Sequence, residues 1–271
     1  MTSADARVRV PPRCGYRDRV TLEDKRCLVI GGGGTGIGRA ITRAFGEAGA
    51  RVAVADVDER RAREAAAELG ERGLPLIADV RSPSDLAAMV DESIDRLGGL
   101  DVVVTVVGGQ VAFVPAVPLH EIGDDDWDTV YELNLRYVAR TLRLVLPRLL
   151  EQGTGASIVG IGSVAGVMAA PRQAAYGVMK AGLLSLARTV AAEYSHAAIR
   201  MNVIVGGAIA TDASSNAGTD GWVEEIPTGR YGTTAEVAAA AVYLASDSSA
   251  YMTGQQLVLD GGVSVRGPFP S

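Results

Sequence analysis

The sequence predicts an α/β fold, a single doubly wound parallel sheet of about seven strands with helices on both faces. Three observations carry this. Short apolar runs rich in β-branched residues recur along the chain, each followed by a helical pattern. The runs are continuously apolar rather than alternating, as strands covered on both faces require. No internal repeat, low-complexity tract or proline-rich linker interrupts residues 21–265. One domain is therefore expected over 21–271, behind an irregular leader at 1–20.

The predicted strands are residues 27–30, 52–55, 75–78, 102–107, 157–161, 200–205 and 256–259. The first runs directly into LVIGGGGTGIGRAI, where glycines turn the chain from strand to helix. Residues 60–69 and 86–97 carry one apolar stripe opposite Glu, Asp and Arg, the pattern of surface helices. The acidic run Asp124, Asp125 and Asp126 before Trp127 suits a helix N-terminus, which favours negative charge, and His120 is read as part of a helix start. Residues 176–194 are apolar nearly all round, so a subunit interface is the expected cover. Two irregular stretches remain, 108–123 and 206–229. The second follows a strand where an open sheet places its ligand crevice, so residues 211–229 are expected to form a short substrate lid. Its large apolar anchors are Trp222 and Ile226, and Val111, Phe113 and Val114 line the loop after the fourth strand.

Composition narrows the function. The chain has 271 residues, a formal net charge of −6, 48% hydrophobic residues, 33 glycines and only 5% aromatics. A net negative charge argues against a nucleic-acid partner, because such binding neutralises phosphates with Lys and Arg. Cys14 and Cys27 are too few and too unequally placed for a disulfide framework or metal site, which fits a reducing, cytoplasmic compartment. His120 and His196 are the only histidines and have no cluster near them, so neither zinc catalysis nor a Ser-His-Asp triad is supported and no metal is expected. Residues 1–20 hold five arginines and two prolines without a signal-length apolar stretch, so neither a secretory signal nor a membrane anchor is read.

The glycine turn has the makings of a phosphate cradle. Glycines let backbone approach a pyrophosphate, and the following helix offers free N–H groups and its positive dipole end. Candidate contacts are Gly32, Thr35, Gly36, Ile37 and Gly38. Alone, such a cluster also serves tight turns that bind nothing. Asp56, however, ends the next strand twenty residues past Gly36, where an acid receives the two ribose hydroxyls of NAD. Its carboxylate would repel a 2′-phosphate, and Val57 and Asp58 supply no cation. NAD is thus expected over NADP, with Arg39 and Arg51 the nearby cations that could reverse the preference.

In SIVGIGSVAGVMAAPRQAAYGVMKAG, Tyr176 and Lys180 are four apart and share a helix face. An ammonium beside a phenol stabilises the phenolate, as a general acid or base requires. Alone the pair is common on helix surfaces, and Ser163 or Asn134 alone reads as a cap or turn residue. Together with the glycine loop the chain resembles the short-chain dehydrogenase/reductase family over residues 24–264. The resemblance implies a Rossmann-type fold and an NAD-dependent oxidoreductase interconverting a secondary alcohol and a ketone. It implies that Tyr176 exchanges a proton with the substrate oxygen, that Ser163 hydrogen-bonds that oxygen, that Lys180 holds the nicotinamide ribose and that Asn134 positions a water relay. Asp79 with Val80, in IADV, matches the adenine contact, and Ile209 and Thr211 match contacts to the nicotinamide amide. A homo-oligomer, tetramer or dimer, is likewise implied.

Several positions depart from the family pattern. Gly31 stands for a Thr, Thr105-Val106-Val107 for Asn-Asn-Ala, Gly162 for a second Ser and Gly206 for a Pro. The two glycines at 162 and 206 predict a roomier site, and the short lid predicts a bulky or polycyclic small-molecule substrate. Two alternatives stay open at this point: a non-redox isomerase or lyase using bound NAD, and a dinucleotide sensor without catalysis.

Overall fold

A computed structural model describes residues 20–110, 112–211 and 222–266. The leader before residue 20, Val111, most of the expected lid and the final tail lie outside the described residues.

Seven parallel strands form one sheet in the order β3-β2-β1-β4-β5-β6-β9. They are β1 Arg26–Ile30, β2 Arg51–Asp56, β3 Gly73–Ile77, β4 Val102–Thr105, β5 Ala156–Ser163, β6 Ile199–Gly206 and β9 Gln256–Leu259. Between β6 and β9, the two-residue strands β7 Ile209–Ala210 and β8 Gly232–Thr233 pair in a small ladder of their own, too short to leave a sequence pattern. The chain moves outward from β1 to β3, then returns to lay β4 on the other side of β1. That reversal opens a crevice beyond the carboxyl ends of β1 and β4, the position at which open α/β sheets bind ligands.

Alternate side chains of each strand feed two cores. On one face Leu28, Ile30, Val103, Ile158 and Val203 pack against helices α3 Pro83–Leu97, α5 Tyr137–Gln152 and α6 Ala174–Tyr194. On the other, Val29, Val54, Val104, Val159 and Ile204 pack against α1 Ile37–Glu47, α2 Glu59–Ala67 and α7 Thr234–Ala245. This is the two-faced burial that continuous apolar strands require, and each fully buried Leu or Ile contributes roughly 1.5–3 kcal/mol of hydrophobic stabilisation.

The differences from the sequence reading lie at element ends. β4 stops at Thr105, two residues short of expectation. Val106 still donates to Ile30 O at 3.0 Å, but Gly109 then takes φ 141° and turns the chain off the sheet. β5 and β6 run longer than expected and deliver Ser163 and Gly206 to the crevice. Helix α4 Asp124–Tyr131 starts at the acidic run as expected, and His120 lies before it in a short 3₁₀ turn, Leu119–Glu121. A π-turn, Glu132–Arg136, joins α4 to α5 and carries Asn134. Among the described residues no helix is long and apolar enough to cross a membrane.

Candidate active site

Packing explains most of the glycines at the β1–α1 turn. A Cβ on Gly38 would meet Gly31 O at 1.9 Å, and one on Gly32 would meet Thr42 Oγ1 at 2.7 Å, so α1 can press against the loop only without those side chains. Gly33 is held by Asp56, whose carboxylate accepts from its amide at 3.1 Å. Gly34 and Gly36 face open space instead; the nearest neighbour of a Cβ on Gly36 is Thr211 Cγ2, at 3.7 Å. Gly36 is the N-cap of α1 and provides no side-chain capping bond. The amides of the first turn, beginning at Ile37, are therefore left for a ligand, and Thr35 lies exposed beside them.

Asp56 stands at the carboxyl end of β2, accepting from Gly33 N and from Asp58 N at 3.1 Å on its two oxygens. Each oxygen retains a lone pair for a further donor. The two arginines near the loop in sequence are both already engaged. Arg39 donates to Gly33 O at 3.1 Å and pairs with Glu68 at 2.8 Å, and Arg51 donates to Leu97 O at 3.1 Å. Asp79 follows β3 and pairs with Arg81 at 2.6 Å, which holds its carboxyl below the ordinary range. Val80 beside it is buried.

The second half of the site lies across the crevice. Ser163 ends β5, and its hydroxyl accepts from Ala165 N at 3.2 Å. Tyr176 and Lys180 rise from the first two turns of α6. Lys180 is 3% exposed, donates to Ile161 O at 2.9 Å and places Nζ 5.4 Å from the centre of the Tyr176 ring. Burial lowers its ammonium to about 8. Burial also raises the Tyr176 phenol above its ordinary value, and the neighbouring Ser163 hydroxyl opposes that rise. Asn134 is fully buried; Nδ2 donates to Gly109 O and Val130 O at 2.8 Å, and Oδ1 accepts from Gly109 N at 2.9 Å. The π-turn that carries it is a feature frequent at functional sites.

Ser163, Tyr176, Lys180, Ile209 and Thr211, with Ile37, line one cavity of about 210 Å³. A larger hollow of about 610 Å³ opens at the opposite end of the sheet, among Lys25, Asp101, Arg200 and Asp247, and gathers none of these residues. One expectation is corrected. Gly162 does not enlarge the site, because the stiff Val203 side chain fills the space of a Cβ there, 2.7 Å away. At Gly206 only Ile209 comes near, at 3.6 Å, so that side is open as expected. The sequence reading missed Gln110, which is 3% exposed and whose carboxamide bonds the backbone around Tyr176. No spacing rule singles out a lone glutamine in a loop.

Residues 32–264 match the profile described as enoyl-(acyl carrier protein) reductase. The chain is 32% identical over 250 residues to the 3-oxoacyl-[acyl-carrier-protein] reductase FabG of Thermotoga maritima, covering 90% of this chain and 99% of that one. The chain belongs to the short-chain dehydrogenase/reductase family. The D-threitol dehydrogenase of Mycolicibacterium smegmatis is a second short-chain relative, 33% identical over 250 residues, covering 90% of this chain and 94% of that protein. A solved 7α-hydroxysteroid dehydrogenase, complexed with NADH and 7-oxo glycochenodeoxycholic acid, superposes with a TM-score of 0.82 at 30% identity, covering 90% of this chain and 95% of that one. As a short-chain dehydrogenase/reductase the protein is an oxidoreductase of a family that binds a nicotinamide cofactor, on a Rossmann-type sheet.

Proposed function

We propose that the protein uses NAD to interconvert a secondary alcohol and a ketone, with Tyr176 as the proton-exchanging group. The observation that carries this reading is the single cavity in which Ser163, Tyr176 and Lys180 meet, next to the uncapped start of α1. The donor set fits the cofactor. The Gly34–Gly36 surface and the first amides of α1 suit a pyrophosphate, Asp56 suits a ribose diol, and Asp79 with Val80 lies where an adenine would rest. Ile209 and Thr211 border the nicotinamide end. Bound there, NAD supplies the hydride acceptor or donor.

The chain's own residues do the rest. Ser163 Oγ, at the end of β5, donates to the substrate oxygen and holds it by the phenol. Tyr176 takes the proton from the alcohol during oxidation and returns it during reduction. Lys180, anchored on Ile161 O, brings positive charge to the ring and thereby favours the phenolate. Asn134 braces the β4 loop through both amide groups of Gly109, and its surroundings are where a water relay to Lys180 would run. Asp56 repels a 2′-phosphate, and Arg39 and Arg51 are each already engaged by backbone carbonyls.

A bulky, apolar substrate is favoured by the exposed Phe113, Val167 and Met168 near the site and by the similarity to a steroid dehydrogenase. A second copy of the chain is the natural cover for the outer face of α6, where Val178 stands 54% exposed. The buried, unpaired Cys27 thiol supports a reducing compartment such as the cytoplasm. The deciding experiment follows NADH formation with secondary alcohols from small to polycyclic, comparing wild type with Tyr176→Phe. Turnover that the variant loses supports the proposal. Tight NAD binding without turnover on any alcohol would overturn it in favour of non-redox chemistry or sensing.

A further inference from the structure

Gln110 follows the two glycines that leave β4, and it is almost wholly buried although a primary amide is costly to bury without partners. Its carboxamide finds three, on two separate segments. Nε2 donates to Pro115 O and to Arg172 O, each at 3.3 Å, and Oε1 accepts from Tyr176 N at 3.3 Å. Each bond is long, so none fixes the turn alone; what matters is that they converge on one enclosed group.

Tyr176 is the third residue of α6, and its amide is one of the donors that a helix start leaves without an intrahelical acceptor. The α6 N-cap, Gln173, makes no side-chain capping bond. Gln110 supplies from a distant part of the chain the acceptor that an N-cap side chain ordinarily gives. The same junction is tied a second way. Arg172 takes φ 65°, a left-handed conformation that a non-glycine residue keeps only when its surroundings hold it. Its Nε donates to Ala116 O at 3.2 Å. Buried Val114 also packs with Ala175 and Met179 in one small cluster.

We propose that Gln110 is a positioning residue that anchors the backbone of Tyr176 to the β4–α4 loop, so that the loop and the first turn of α6 move as one body. The inference rests on Tyr176 being the proton-exchanging group. Through Gly109, clamped by Asn134, the anchor extends to the floor of the crevice. Displacement of the loop then displaces the phenol from Ser163 and weakens its approach to Lys180.

Gln110→Met, which keeps the length without the hydrogen bonds, and Gln110→Ala test this in the full chain. Hydrogen exchange at the Tyr176 amide is expected to accelerate about tenfold in both, with thermal unfolding reporting that each variant is folded. In the alcohol oxidation assay kcat is expected to fall about tenfold, NAD affinity to stay within about twofold, and the pH profile of kcat/KM to move to higher pH as the phenol draws away from Lys180. Unchanged protection at Tyr176 in both variants overturns the anchor. Lost protection with kcat and pH profile unmoved overturns its catalytic consequence. A wild type that turns over no alcohol overturns the dehydrogenase reading instead, while the exchange measurement still decides whether Gln110 anchors Tyr176.

Discussion

Gly31 and Val107 occupy one space where the sheet reverses direction: a Cβ built on Gly31 would lie 2.9 Å from Val107 Cγ2. Read along the sequence these are two unrelated departures, a glycine where the family commonly has Thr and a valine where it has Ala. In the fold they lie in contact. Val107 fills the space that a side chain on Gly31 would need, and Gly31 takes φ 87°, open to glycine at little cost. The crevice floor is filled from the other strand.

If the two positions compensate, their substitutions must couple. Gly31→Ala is expected to destabilise the protein by about 2 kcal/mol, from the positive φ and from contact with Val107. In a Val107→Ala background the same change should cost about 1 kcal/mol less. Urea unfolding of the four proteins measures the coupling. Additive costs would mean that the backbone conformation alone dictates glycine at this position.

Such coupling marks the border of what the sequence made legible. The strands were readable because burial on two faces leaves an unbroken apolar run, and the glycine loop, Asp56 and the Tyr176–Lys180 spacing because turn geometry and helix periodicity leave local patterns, whereas Ser163 and Asn134 were singled out only by the resemblance to the family. Structure brings Ser163, Tyr176 and Lys180 into one cavity. Contacts between distant segments leave no such pattern. Val203 filling the place of a side chain at Gly162, Arg39 turned toward Glu68 and Gln110 reaching Tyr176 all depend on the register between elements, which no single segment encodes.

Cofactor preference should respond to one carboxylate. Asp56→Ser removes the carboxylate on which the proposed NAD preference rests and also an acceptor of the Gly33 amide. NAD affinity is expected to fall about tenfold while discrimination against NADP narrows by at least as much, each tenfold step being about 1.4 kcal/mol. Fluorescence titration with both reduced cofactors reads the ratio. A variant that rejects NADP as strongly as wild type would place the discrimination elsewhere than Asp56.

Asn134 carries structural weight in addition to any role in a relay. Asn134→Ala would leave the half-buried Gly109 N–H and carbonyl without their side-chain partners. A loss of about 1–3 kcal/mol is expected, since an orphaned buried group costs roughly 1–3 kcal/mol and these two are partly open to water. Calorimetry combined with NAD titration separates the effects. Intact stability with lost activity would show that the clamp on Gly109 contributes little to the fold.

Lys180 should leave a signature in stability as a function of pH. Burial lowers its ammonium from the ordinary 10.5 to about 8. Between these values the unfolded chain binds more protons than the native one, so native stability rises with pH through that window and is flat below it. The gain is on the order of 3 kcal/mol. Lys180→Met, of similar length and without a charge, should lose that slope and be more stable than wild type near neutral pH relative to its stability above pH 10.5. Denaturant unfolding of the cofactor-free proteins at intervals across the window measures the difference. Parallel curves would mean that the native protein keeps the ammonium charged, through Ile161 O and the Tyr176 ring, at no cost relative to water.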